Sequence, residues 1–527
     1  MNGAADLIVT AASVYRVDGG AARAEAFAIR NGRFVFVGAA QDAMSLRGPR
    51  TQVLELGGRS VLPGIVDAHL HLTNLGLKLE QVELDGVDSV DELIGKSTAY
   101  AAVAEGRWIL GRGWDENRWA KPVFPTHRGL SAAIPDRPVA LARVDGHAVL
   151  ANACAMRIAG IDASTPDPPG GRILRDAAGE PTGLFVDAAE ALIYNEVPKP
   201  SHEALVRATR AAVAHCNRWG ITAVAEPGCG EDVLTAHREL IDRGEYSIRN
   251  HAMIHDEPSL LERYLANCAA ERAHGGRLSV RAIKLYADGA LGSRGAALLA
   301  PYSDDPTNAG LILASRERIE RVAEEAARAG FQVCVHAIGD RANRMVLDAF
   351  AAVSRRTSAR EARPRIEHAQ VLAPDDVPRF AELGVIASMQ AAHALSDLKW
   401  AQSRLGAERL RGAYAWRALL DRGTIIANGT DAPVEPASPT RNFFASIAGQ
   451  SDSTRCMTRT EALASMTANA AYANLQEREI GSIAPGKYAD FVVVDRDWMT
   501  IPSDEIEGTK IVATYFEGRR VYDGGEG

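Results

Sequence analysis

Short apolar runs separated by turn residues fill both ends of the chain, while a slower rhythm fills the middle. Residues 6–62 contain Leu7-Ile-Val-Thr10, Ala26-Phe-Ala-Ile-Arg30, Arg33-Phe-Val-Phe-Val-Gly38 and Gln52-Val-Leu-Glu-Leu56, with Asn31-Gly32 and Gly57-Gly58 between them. This is the pattern of β-strands joined by tight turns. The far end repeats it in Ala489-Asp-Phe-Val-Val-Val-Asp495, Ile511-Val-Ala-Thr-Tyr-Phe516 and Arg520-Val-Tyr522. Two distant β-rich ends are most simply reconciled in one small β-sandwich, with residues 1–60 and 476–527 as its two parts.

Between them, apolar strands alternate with helical stretches such as Ser315–Ala329, the pattern of a parallel sheet. Strands are expected near 61–69, 221–227, 247–254, 279–287, 332–337, 363–368, 384–390 and 424–430. Eight is the closure number of a (β/α)₈ TIM barrel, here spanning 61–475. About 150 residues separate the first two strands, where a plain unit needs on the order of 30. An insertion at about 75–215 is therefore expected after barrel strand 1, carrying Trp108, Trp114, Trp119 and Val144-Asp-Gly-His-Ala-Val-Leu-Ala-Asn152.

The strand ends carry the chemistry. In Val66-Asp-Ala-His-Leu-His71, residues two apart on a strand share a face, so His69 and His71 present their imidazoles together. Two neutral imidazoles can chelate a borderline-soft dication such as Zn²⁺. An isolated HxH is a weak pattern, but the placement recurs. His336 closes Gln332-Val-Cys-Val-His336, His368 closes Arg365-Ile-Glu-His368, and Asp431 follows Ile425-Ile-Ala-Asn-Gly-Thr430. Barrel enzymes keep their catalytic groups at these C-terminal strand ends. Lys284 lies on the fourth strand, where an inward amine must be paired or modified. A salt bridge with Asp288 or Glu226 and a CO₂-derived carbamate both satisfy that condition, and spacing does not choose between them. Arg294 and Asp340 read as support for the ligands. His127, His202, His215, His237, His251, His255, His274 and His393 lack a comparable placement and read as structural or surface residues.

These segments resemble the amidohydrolase superfamily, and within it the YtcJ-like branch that includes N-substituted formamide deformylases. The resemblance rests on Leu62-Pro-Gly-Ile-Val-Asp-Ala-His-Leu-His71, Ile283-Lys-Leu-Tyr-Ala-Asp-Gly-Ala-Leu-Gly-Ser-Arg294 and His336-Ala-Ile-Gly-Asp-Arg-Ala-Asn343. It extends through Arg365-Ile-Glu-His-Ala-Gln370, Gly429-Thr-Asp-Ala-Pro433 and the Gly481–Asp495 return strand, in order along nearly the whole chain. It implies that His69 and His71 hold the more buried metal and that His336 and His368 hold the second. It further implies that carboxylated Lys284 bridges them, and that Asp431 touches metal and acts as the base. The cofactor expected is Zn²⁺ or a relative, as one or two ions. The segment with His147 and Asn152 resembles the part of the branch that overhangs the active site.

The function expected is hydrolysis of a C–N, amide-type bond in a small, hydrophobic or aromatic N-substituted substrate, contacted by His147, Asn152 and Trp114. Deamination of a cyclic amidine, or ester or lactone hydrolysis, would use the same ligands. A catalytically silent binding protein would be expected to have lost one of them.

Composition narrows the partners. With 59 basic and 67 acidic residues among 527, the net charge is −8 and no basic stripe appears, which argues against nucleic acid. No apolar stretch is long enough for a bilayer, and no basic segment precedes an apolar one at the N-terminus, so a soluble cytoplasmic protein is expected. The six scattered cysteines read as reduced, buried thiols. A homo-oligomer, most simply a dimer, is the expected assembly.

Overall fold

The computed structural model describes residues 3–18, 23–144, 148–266, 276–357, 361–450 and 452–525. The chain divides into two compact units, one of Met1–Leu75 with Thr209–Gly527 and the other of Gly76–Ala208.

In the first unit, eight parallel strands form the barrel sheet. Numbered in chain order they are β1 (Ile65–Asp67), β2 (Ile221–Cys229), β3 (Arg249–His255), β4 (Leu278–Tyr286), β5 (Gln332–Ala337), β6 (Arg365–His368), β7 (Ile386–Met389) and β8 (Ile426–Asn428). Each pairs with the next, β1 through β8. The seam between β8 and β1 is closed by single backbone bonds. Ala68 N–H donates to Asn428 O (3.3 Å), Asp431 N–H to His69 O (2.7 Å) and His71 N–H to Ala432 O (2.9 Å). The surrounding helices are ordinary amphipathic ones. In Arg316–Ala329, Ile319, Val322, Ala323 and Ala326 face inward at helical spacing. The Ser315 hydroxyl caps its start and left-handed Gly330 ends it.

The run expected as one strand over 61–69 is two. Ser60–Pro63 pairs antiparallel with Phe491–Val494 in the terminal sheet, and β1 begins only after Gly64. Glycine is required at that switch, because a Cβ there would lie 2.2 Å from Thr222 Oγ1. The two ends of the chain meet as expected, hydrogen-bonded into one eight-stranded mixed sheet that folds over a core including Phe27, Phe34, Val61, Phe491 and Tyr515. Buried Arg249, at the start of β3, fastens this sheet to the barrel through Asp490 (3.0 Å) and Glu517 (3.1 Å).

The second unit, the insertion, has a six-stranded sheet and apolar core of its own, with Trp114, Trp119, Leu141, Leu150 and Leu184 packed together. No described helix is long and apolar enough to cross a membrane.

Candidate metal centre

The site is assembled where β1, β4, β5, β6 and β8 end. Asp67, the last residue of β1, anchors the seam. Its Oδ1 accepts the His69 and Thr430 amides (3.1 and 3.0 Å) and its Oδ2 the Thr430 hydroxyl (2.6 Å). Burial raises its pKa to about 7.

This anchoring sets His69 and His71 against Asp431. His69 Nε2 lies 3.6 Å and His71 Nε2 3.4 Å from the same oxygen, Asp431 Oδ1. Those separations are long for N–H···O hydrogen bonds. They suit ligands on a common ion, since two donors ~2.0–2.1 Å from a tetrahedral cation lie ~3.4 Å apart. His69 is oriented from behind: its Nδ1 meets Glu367 Oε2 at 2.5 Å. Arg365 holds that carboxylate with Nε (2.8 Å) and Nη2 (3.1 Å), and also bonds Ala68 O and Ser388. A carboxylate on the far nitrogen fixes the ring so that Nε2 presents its lone pair to the site.

His368 ends β6 with φ +75°, a left-handed conformation that costs a β-branched or bulky residue of order 1–3 kcal/mol. The twist departs from strand alternation, and His368 packs against the His69 and His336 rings at 4.9 and 4.6 Å. Its Nδ1 is occupied by Gln390 Oε1 at 2.7 Å. His336 Nε2 lies 3.6 Å from Asp288 Oδ1 and is buried without a hydrogen-bond partner.

Burial, then the nearby Lys284 charge, lowers the pKa of His69 to about 4 and that of His336 to about 3. Burial also lowers that of His368 well below its ordinary value. All three rings are thus neutral, the form that binds metal. Burial alone would raise Asp431, but His71, His69, His368 and His393 outweigh it and hold the carboxyl well below its usual range.

Lys284 is 1% exposed and makes no ion pair within 4.0 Å among the described residues. The two acids expected as salt-bridge partners are engaged elsewhere. Glu226 takes His237 (2.8 Å), Asn250 (2.6 Å) and the Thr73 amide (2.9 Å), while Asp288 takes the amides of Ala297, Ile338 and Gly339. Burial lowers the lysine's pKa. Its Nζ sits 5.0 Å from the centroid of the Tyr286 ring, which is itself part-exposed beside His336.

The expected substrate contacts fare differently. His147 lies outside the described residues. Trp114 is fully buried in the insertion's core, its indole N–H spent on Leu141 O (2.8 Å). Asn152 accepts the Val139 and Ala155 amides (both 3.0 Å) and donates to Ile134 O and Arg137 O (both 2.8 Å). Neither has surface or hydrogen-bonding capacity left for a ligand, so the structure gives both a packing role. Arg294 and Asp340 fasten the segment after β4, through Asp304 and the Leu299 amide.

Two residues absent from the expected set lie against the candidate site. Glu367 was detectable as one of two charged residues, with Arg365, alternating on a buried strand. His393, on the helix Ala391–Arg409 after β7, brings Nε2 to 3.6 Å from Asp431 Oδ2. Among the described residues, His69, His71 and Asp431 form one cluster with metal-ligand spacing, and His368, His393 and Asp431 form another.

A parallel eight-stranded barrel with histidines and an aspartate at its strand ends is an architecture suited to metal-dependent hydrolysis. Residues 52–522 match the model described as the Amidohydrolase family, and the chain belongs to that family. It is 33% identical over 494 residues to the putative amidohydrolase YtcJ of Bacillus subtilis, covering 90% of this chain and 91% of that protein. It is 34% identical to protein LONG AFTER FAR-RED 3 of Arabidopsis thaliana, covering 98% and 92%. It is 27% identical to the N-substituted formamide deformylase of Arthrobacter pascens, covering 98% of each. The crystal structure of an uncharacterized metal-dependent hydrolase from Pyrococcus furiosus superposes with a TM-score of 0.80 at 29% identity, covering 94% of this chain and 100% of that one.

Proposed function

We propose that this hydrolase cleaves a C–N, amide-type bond in a small N-substituted substrate, at a centre where His69, His71 and Asp431 hold a divalent cation. His336, His368 and a CO₂-derived carbamate on Lys284 are proposed to complete the centre, which takes Zn²⁺ as one or two ions. The observation that carries the reading is the convergence of two imidazole nitrogens on one Asp431 oxygen at 3.4–3.6 Å. The donor set fits a cation further, because His336 Nε2 is buried and otherwise unpartnered. Lys284, desolvated and without an ion pair, is drawn toward the neutral amine that adds CO₂. Likeness to an N-substituted formamide deformylase supports the bond class.

A bound divalent cation supplies Lewis acidity, polarising the scissile carbonyl and acidifying water toward pKa ~7. The chain's own residues handle the protons. Asp431, a carboxylate at neutral pH, takes a proton from the attacking water and passes it to the departing nitrogen, which leaves as a neutral amine. Glu367, held by Arg365, keeps the His69 ring from rotating as charge develops. The part-exposed Tyr286 ring beside His336 offers an apolar surface to the substituent.

The test replaces both His69 and His71 with alanine. Metal content, measured by mass spectrometry after desalting, and amide turnover are expected to disappear together. Retention of both would remove these histidines from the site.

A further inference from the structure

His69 and His71 are held in different ways. His69 is fixed through its ring, by Glu367 behind Nδ1. For His71 no such ring partner is present among the described residues, and the constraint falls on its backbone. Its N–H donates to Ala432 O (2.9 Å), and its carbonyl accepts the Leu75 amide (2.8 Å) in the first turn of the helix Leu72–Leu79. Two consecutive residues of β2 grip the chain on either side of it. Ala225 O accepts the Leu70 amide (3.0 Å), and Glu226 Oε1 accepts the Thr73 amide (2.9 Å).

Glu226 is itself held in place. It is buried, and its Oε2 meets His237 Nε2 (2.8 Å), from the helix Glu231–Asp242, and accepts Asn250 Nδ2 (2.6 Å), from β3. Burial alone would raise its pKa, but His237, the Thr73 amide and Asn250 outweigh it and keep the group a carboxylate. A carboxylate on the Thr73 amide also complements the positive end of the helix that starts there. His237 is fully buried, with Nδ1 lacking a hydrogen-bond partner. A buried carboxylate–imidazole pair is often no more stabilising than apolar residues of the same volume. Barrel stability is therefore a poor reason for this pair, whereas its grip beside His71 is a specific one.

We propose that Glu226, backed by His237, is a positioning residue for His71. By holding the Thr73 amide it sets the start of the helix, and with it the angle at which the His71 ring meets the cation. This rests on the proposed metal centre and deepens it by naming what orients the histidine that has no ring partner.

The full-length protein is stripped with chelator and reloaded with Zn²⁺, and affinities are obtained by chelator competition. The ion followed is the one whose binding His71→Ala weakens. Glu226→Ala should bind it about 10–100-fold more weakly, the usual cost of losing an outer support of a metal ligand. Glu226→Gln keeps an acceptor for the Thr73 amide and should recover most of that loss. Asn152→Ala, which destabilises the separate insertion, should keep wild-type affinity and so controls for lost stability. Far-UV circular dichroism reports folding. If Glu226→Ala does not fold, His237→Ala, which loosens the carboxylate from behind, should show a smaller loss for the same ion. Wild-type affinity in the folded variant, or a loss that glutamine leaves unrepaired, would overturn the inference while the metal centre stands. Zn²⁺ binding indifferent to His71→Ala would overturn the centre itself.

Discussion

Asp431 is the residue through which the site is organised. Its left-handed backbone (φ +58°) turns the chain out of β8, and its carboxylate is the one group shared by both histidine clusters. If it moves the proton, Asp431→Asn should lower kcat by about 10²–10⁴ while the thermal midpoint changes little and the His69–His71 pair still holds an ion. A near-normal kcat would take Asp431 out of the mechanism. The histidines of the candidate site are legible in proportion to their placement. His69, His71, His336 and His368 each terminate an apolar run, so strand periodicity exposed them. His393 sits two residues inside a helix, where nothing in the local pattern sets it apart. Trp114 failed the other way: a tryptophan in an insertion reads equally as pocket wall or core, and burial decided for core.

At the scale of elements, all eight barrel strands lie within a few residues of where alternation of apolar runs and helices put them. The first strand differs because its apolar run serves two sheets in succession. Periodicity sees one run, and only the pairing partners reveal the switch at Gly64. The insertion was legible as excess length, but its own six-stranded sheet was not, because its strands pair in an order that spacing does not encode. Asn152 ties that sheet together by capping the helix Ala153–Ile158 and satisfying three further backbone groups. Asn152→Ala should therefore lower the stability of the insertion by about 2–4 kcal/mol, from a lost cap and stranded backbone partners. The urea midpoint should fall with metal content unchanged. An unchanged midpoint with a raised KM would instead restore Asn152 as a substrate contact.

Across the whole molecule, proposed ligands separated by more than 360 positions are brought to one point by barrel closure, from His69 at the first strand to Asp431 after the last. Fold and site therefore stand or fall together, because the same seam bonds that close β8 onto β1 also set His69 against Asp431. An ion bound only by the folded chain adds stability by mass action, about 4 kcal/mol at a thousand times its Kd, so chelation should lower the thermal midpoint as well as activity. The most direct test of the account follows amine release from a panel of N-substituted formamides, beside other amides and esters. Metal-loaded, chelator-stripped and Zn²⁺-reloaded protein are compared. The account predicts turnover of at least one N-substituted amide that vanishes on stripping and returns on reloading. Undiminished turnover by the fully stripped protein, or turnover confined to esters, would contradict it.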